Sequence, residues 1–364
     1  MPRSPMPRRR ATLASLAAEL KISRTTVSNA YNRPDQLSAE LRERVLSTAK
    51  RLGYPGPDPV ARSLRTRKAG AVGLVITEPL NYSFSDPAAL DFVAGLAESC
   101  EAVGQGLLLV AVGPNRSVSE GSAAVLAAGV DGFVVYSASD DDPYLPAVLQ
   151  RQLPVVVVDQ PKDVAGVSRV GIDDRAAMRV LAEHVLDLGH REIALLTMRL
   201  HRDRPPGAAG PVVADPARLR LPQFHVQSER IGGVVDALAA AGLDPATLTI
   251  VESYDHGAAS GGAAADVALR ANPHLTALMC TADVLALSAM DHLRARGIYV
   301  PGQMTVTGFD GVREALRRGL TTVVQPSIEK GRRAGELLHA RSGIPEVQTL
   351  ATEMVRGRTS GPPG

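Results

Sequence analysis

Arg24, Thr25 and Asn29 are the side chains of this sequence best suited to reading a nucleic acid. They lie in the run Ser23-Arg24-Thr25-Thr26-Val27-Ser28-Asn29. An arginine there can fork two hydrogen bonds to one guanine, and a threonine or asparagine can meet neighbouring base edges. No comparable set assembles a catalytic centre. There is no Gly-x-Ser-x-Gly elbow and no Gly-rich phosphate loop ending in Lys-Ser or Lys-Thr. The eight histidines show no metal-ligand spacing, and His184 and His190 at a helix end suit structural roles. The expectation is a protein that is not an enzyme and needs neither metal nor cofactor.

The elements that must hold Arg24 are short helices. Thr12 is a helix N-cap, followed by Leu13, Leu16, Ala17 and Leu20 at helical spacing. Lys21-Ile22 breaks the pattern, Ser23 caps a second helix with Val27, Ala30 and Tyr31 on one side, and Asn32-Arg33-Pro34-Asp35 is a loop. Ser38 caps a third helix with Leu41, Val45, Leu46, Ala49 and Leu52 as its stripe, stopped by Gly53. Two helices joined by a tight turn make a helix-turn-helix, which places the start of the second helix in the major groove.

Charge supports this division. Residues 1–70 hold 15 Lys and Arg against 5 Asp and Glu, a net of +10. The whole-chain totals of 40 and 38 leave 25 against 33 beyond residue 70, a net of −8. A basic head on an acidic body implies one surface for a polyanion and another for something else. Arginine is the default cation, since only five of the basic residues are lysine.

Residues 1–10 read as a flexible basic arm with no apolar stretch behind it, unlike a secretory signal. Pro55 to Pro59 is a linker, and Pro59 to Leu64 can form a short helix. From Ala71 onward, β-branched runs alternate with amphipathic stretches. Strands are expected at Val72–Thr77, Leu107–Val112, Gly132–Tyr136, Val155–Asp159, Ile193–Thr197, Thr249–Val251, Ala277–Cys280 and Thr305–Phe309. Helices are expected between them, and Asp283 is expected to cap one over Val284–Arg296. That alternation predicts an α/β body of two doubly wound parallel-sheet subdomains, with a ligand cleft between the carboxyl ends of their strands. Residues 199–223, rich in Pro, Arg, Gly and Ala, read as a long mobile, disordered insertion, with a lid over a ligand or partner as the second reading. Cys100 and Cys280 sit in apolar runs, which fits a reducing cytoplasm. The apolar runs are far too short to span a bilayer.

The head resembles the DNA-binding headpiece of the LacI/GalR family of bacterial transcription repressors. The resemblance lies in Thr12 to Leu20, Ile22 to Asn32, Leu37-Ser38, Arg42 to Val45, Leu52-Gly53-Tyr54 and Ala61-Arg62-Ser63-Leu64. The body adds Leu188-Gly189-His190-Arg191-Glu192-Ile193, Val306-Thr307-Gly308-Phe309-Asp310 and Leu320-Thr321-Thr322-Val323-Val324-Gln325-Pro326.

The resemblance implies base reading by Arg24, Thr25 and Asn29, and phosphate contacts by Thr12, Ser23, Thr26, Ser28, Asn32 and Ser38. It implies a hinge helix in which Ala61 and Leu64 meet the minor groove, Leu64 as an apolar wedge. It also implies a body similar to periplasmic sugar-binding proteins. There Arg230, three residues before Gly233, and Asp310 face the ligand, with Asp159, Gln325, Tyr254, Phe84 and Asp86 around it. A charged and aromatic cleft of this kind suits a sugar, nucleoside or similar polyol.

The expected organisation is an arm over 1–10, a helix-turn-helix over 11–54, linker and hinge over 55–70, and an effector and dimerisation domain over 71–364. Within the last, 71–160 plus 311–325 form the first subdomain and 161–310 plus 326–364 the second. The expected function is a cytoplasmic homodimeric regulator that binds double-stranded operator DNA under control of a small-molecule effector, with no membrane partner. A sugar- or nucleoside-modifying enzyme would leave the basic head unexplained, and a solute-binding protein would lack it.

Overall fold

A computed structural model describes residues 11–57, 66–79, 84–113, 116–255, 257, 259–340 and 344–364. The arm and the hinge residues Ala61 and Leu64 lie outside the described residues. The chain divides into two compact units, residues 1–69 and 70–364.

The first unit contains α1 (Leu13–Leu20), α2 (Arg24–Asn32), a 3-10 turn (Pro34–Gln36) and α3 (Ala39–Leu52). Each helix starts where a hydroxyl can cap it. Thr12 accepts the Ser15 N–H, Ser23 that of Thr26 and Ser38 that of Leu41. Lys21 ends α1 at φ 56°, which makes the turn tight, and Gly53 ends α3 at φ 69°. Leu16, Val27 and Val45 are wholly buried where the three helices meet, with Ala17, Ala30 and Ala49 between them. Those six residues are the apolar stripes of the sequence, so their periodicity fixes which faces remain outside.

Among its described residues the second unit has thirteen strands. β1 (Ala71–Ile76), β2 (Gly106–Ala111), β3 (Gly132–Tyr136), β4 (Val155–Val158) and β5 (Ser168–Ile172) come first. Then follow β6 (Ile193–Met198), β7 (Val212–Val213), β8 (Thr249–Ser253), β9 (Ala277–Cys280) and β10 (Thr305–Asp310). β11 (Thr321–Val324), β12 (Val347–Leu350) and β13 (Glu353–Val355) complete them. They form a six-stranded sheet, β12-β5-β4-β3-β1-β2, and a seven-stranded sheet, β13-β11-β10-β9-β6-β8-β7. The first is wholly parallel. In the second only the edge strands β7 and β13 run antiparallel.

Around the first sheet lie α4 (Pro87–Ala102), α5 (Val118–Ala127), α6 (Leu145–Gln150) and α13 (Ser327–His339). Around the second lie α7 (Asp174–Asp187), α9 (His225–Ala240), α10 (Ser260–Ala271) and α11 (Asp283–Ala295), with the short α8 (Pro216–Arg220) and α12 (Arg313–Arg317). No described helix is long and apolar enough to cross a membrane.

Sheet membership differs from the expected subdomain limits. Residues 168–172 extend the first sheet as β5, residues 321–324 belong to the second as β11, and 327–350 return to the first as α13 and β12. The reasons are local. β11 pairs with β10 in parallel register, Thr307 opposite Thr321. α13 must lie on α4, because glycines allow backbone contact there: a Cβ on Gly331 would overlap the Phe92 carbonyl oxygen, and one on Gly95 that of Ile328. The chain thus passes between halves three times, after β5, β11 and β12. Asp173, Val323, Thr349 to Thr352 and Met354 line one groove, so the three passages lie side by side.

The base-edge face and the charged cleft

Packing in the headpiece turns Val27 and Ala30 inward, which leaves Arg24 and Thr25 exposed on the outer face of α2. Asn29 is half-buried, and its side-chain amide donates to Gln36 Oε1 at 3.1 Å. The Ser23 hydroxyl serves the Thr26 N–H at 2.9 Å and meets the Thr26 hydroxyl at 2.8 Å. Asn32 donates to the Ser28 carbonyl at 3.0 Å and to its hydroxyl at 3.1 Å. Thr12 and Ser38 are exposed caps on the other two helices. Thr12, Ser23, Arg24, Thr25, Thr26 and Ser38 therefore lie at helix starts, and Ser28, Asn29 and Asn32 are partly buried further along α2.

The body holds a cavity of about 120 Å³ between its two sheets, at the carboxyl ends of the strands. Asp159 follows β4 and Asp310 ends β10, both at positive φ, 62° and 118°. Such conformations cost a non-glycine residue on the order of 1–3 kcal/mol and recur at ligand sites. A buried chain of polar contacts joins the two carboxylates. Lys330 Nζ donates to both Asp159 oxygens, at 2.9 and 2.8 Å, and to Gln325 Oε1 at 2.7 Å. Gln325 Nε2 donates to Asp310 at 2.6 Å. Arg230 lies 3.6 Å from Asp310, donates to Asp174 at 2.8 Å and stacks over the Phe309 ring at 3.7 Å. Lys330 is 2% exposed and Arg230 is 5%, so these charges are desolvated and depend on one another.

Burial dominates the acidities. It pushes the Asp310 carboxyl up to about 7 against the opposing pull of Arg230. Burial likewise raises Asp174 despite Arg230, and Glu78 despite its ion pair with Arg199. The Tyr136 hydroxyl is raised well above its usual value by burial and by Asp86, Asp159 and Asp310. Its ring stacks on Phe92, centroids 4.4 Å apart.

Arg230, Asp310, Asp159, Gln325 and Asp86 all line this cavity. Asp86 also caps α4 by accepting the Ala88 N–H at 3.1 Å. Phe84 and Tyr254 do not line it. Phe84 is 55% exposed. Tyr254 donates its hydroxyl to the Arg202 carbonyl at 2.6 Å and lies under Arg204, 4.5 Å from its ring centre. Asp283 is the first residue of α11 and not its cap: its carboxylate takes the Val312 N–H at 2.8 Å and the Thr322 hydroxyl at 2.6 Å.

Residues 199–223 are built into the fold and are not a mobile insertion. They contain β7 and α8, and Arg218 forks onto the buried Glu252 at 2.8 and 2.7 Å. Gln223 reaches the other half, donating to Asp141 at 2.7 Å and accepting the Asp140 N–H at 2.8 Å.

Sequence reasoning missed Lys330, Asp174, Gln160 and Gln227. Gln160 accepts the Val226 N–H at 2.8 Å across the cleft, and Gln227 accepts the Thr197 hydroxyl at 3.0 Å. Lys330 left a signal. It shares the buried stripe Ser327, Gly331, Ala334 and Leu338 of α13, an unusual place for a rare lysine.

Two family models match the body. Residues 69–203 match periplasmic binding proteins and the sugar-binding domain of the LacI family, and residues 182–360 a periplasmic binding protein-like domain. The chain is 79% identical to an HTH-type transcriptional regulator of Mycolicibacterium smegmatis over 100% of both chains. It is 38% identical to a solved LacI-family transcriptional regulator from Corynebacterium glutamicum, with a TM-score of 0.74, covering 95% of this chain and 98% of that one. A solved complex of the transcriptional regulator CelR with cellobiose is 26% identical, with a TM-score of 0.67, over 96% and 100%. These relatives are regulators and not enzymes, in agreement with the sequence reading. The chain belongs to the LacI family of helix-turn-helix transcriptional regulators.

Proposed function

We propose that the chain is a cytoplasmic homodimeric repressor that reads a pseudo-palindromic operator and is controlled by a polyol effector, a sugar or nucleoside, in the cleft. Arg24, Thr25 and Asn29 meet base edges in the major groove, and Arg24 selects guanine. Thr12, Ser23, Thr26, Ser28, Asn32 and Ser38 set the register through phosphates. Ala61 and Leu64 enter the minor groove.

The observation that carries the effector reading is the buried chain Asp159–Lys330–Gln325–Asp310–Arg230, with both carboxylates at strand ends beside a cavity. Carboxylates accept hydrogen bonds from ligand hydroxyls, the Arg230 fork donates, and the Tyr136 ring offers an apolar face. The solved complex of CelR with cellobiose supports a sugar as the class of ligand. An effector that weakens operator binding must itself bind the operator complex more weakly, by the same factor.

A thermal-shift panel of sugars and nucleosides on the full chain tests this reading. A ligand that shifts the melting temperature should do so no longer in Arg230→Ala, which should still bind the operator. A shift retained in that variant removes Arg230 from the site.

A further inference from the structure

A second chamber, of about 280 Å³, adjoins the cleft and shares Thr77, Arg199 and Phe224 with its wall. Arg199, Arg202 and Asp203 of the 199–223 segment form part of its wall. Arg116 and Arg202 line it together with Arg199. Among the described residues neither Arg116 nor Arg202 makes a direct ion pair; Arg202 acts on the Asp142 carboxylate, and Arg116 on Glu120, only by longer-range attraction. Arg199 gives one end of its guanidinium to Glu78, and its plane lies over the Phe224 ring at 4.8 Å.

Two of the lining residues carry a buried polar atom with no hydrogen-bond partner among the described residues: Ser139 at its hydroxyl and Arg199 at Nε. Ser139 is 2% exposed and Arg199 is 8%. Unsatisfied buried donors are rare in native proteins, and each calls for a partner. The acidic groups on the wall are otherwise engaged or outside. Asp142 accepts the Tyr144 and Leu145 N–H groups, both at 2.9 Å, and burial pushes its carboxyl up. Asp203 is exposed. Three arginines, one of them paired to Glu78, therefore face one buried carboxylate.

We propose that this chamber is an anion subsite that takes a phosphoryl or carboxylate group. Arg199 Nε and the Ser139 hydroxyl donate to the oxygens of that group, and Arg202 and Arg116 supply the countercharge. Through the shared wall at Thr77 and Phe224, a cleft-bound ligand can carry an acidic substituent into the chamber. That extension rests on the effector reading above; the anion site does not.

The test is calorimetric titration of the full chain with inorganic phosphate and, separately, with acetate, ionic strength being held constant with chloride. Ser139→Ala and Arg202→Gln are the variants. Phosphate is expected to bind the native chain. Arg202→Gln should weaken it about tenfold or more, as expected for a charge-assisted hydrogen bond, and Ser139→Ala several-fold. Acetate binding with the same dependence assigns the carboxylate source.

No binding of either anion at millimolar concentration overturns the proposal. So does binding unchanged in both variants, which would place the anion on the basic headpiece. If Arg202→Gln fails to fold, the small buried change Ser139→Ala carries the test. The neutral-sugar melting shift separates the two readings. Its absence in a chain with variant-sensitive phosphate binding refutes the cleft effector alone. Its presence without phosphate binding refutes the chamber alone.

Discussion

Lys330→Met is the sharpest probe of the cleft. The ammonium makes three hydrogen bonds, two to Asp159 and one to Gln325, on a residue 2% exposed. Methionine fills similar volume, so packing changes little, but the Asp159 carboxylate loses its counter-ion in a desolvated place. Breaking one side of a buried pair costs about 3–5 kcal/mol. For a unit of this size that corresponds to a melting temperature lower by about 6–10 °C. The chain has no tryptophan, so urea or thermal unfolding followed by far-UV circular dichroism is the suitable assay. The double variant Lys330→Met/Asp159→Asn removes both charges and should recover much of the loss, because an apolar or neutral replacement of a whole pair is close to neutral. A single-variant cost below about 1 kcal/mol, the level of an exposed pair, would refute the claim that the charges depend on each other. So would a double variant whose loss equals the sum of the two singles.

Arg24→Ala should weaken operator binding by about 1–3 kcal/mol and relax preference at one base pair, measured by titrating operator variants; equal loss on random DNA would contradict base reading. The Asp310 carboxyl, raised by burial to about 7, contributes stability that is fully present below about pH 4 and is lost as pH rises through about 7. Native stability to urea should therefore fall between about pH 4 and 7 by a contribution that Asp310→Asn removes, and parallel pH curves for the two proteins would count against it. Gly331→Ala should destabilise the body by about 1–3 kcal/mol or more, since its new Cβ meets the Phe92 carbonyl; unchanged unfolding would show that α13 does not press on α4.

What the sequence made legible were features that local chemistry decides. Thr12, Ser23 and Ser38 cap where hydroxyls precede apolar periodicity, and valine-rich β3 and β4 declare themselves. Arg230, Asp310, Asp159, Gln325 and Asp86 reach the cleft because strand ends and the helix after them face it. β5 was obscured by Ser168, Arg169 and Gly171, whose small and charged side chains do not read as a buried strand. β11 lies in the stretch 311–325 expected in the first subdomain, and only its parallel pairing with β10 across a short helix sets it in the second sheet. The fate of Tyr254 depended on Arg202 and Arg204, some fifty residues away in a segment with no periodic pattern. Lys330 and Asp174 became site residues only through partners brought in by the crossing chain.

The three side-by-side passages between the sheets have a mechanical meaning. A single connection would let the halves swing and twist freely; two would define an axis but still permit shear along it. Three adjacent connections leave essentially one soft coordinate, opening and closing about the line through them. Gln325 lies on the middle passage, with Lys330 just beyond it in the first turn of α13. A change in the hydrogen bonds of that pair is therefore applied close to the pivot, where a displacement of a fraction of an ångström becomes a much larger excursion at the far rims of the cleft.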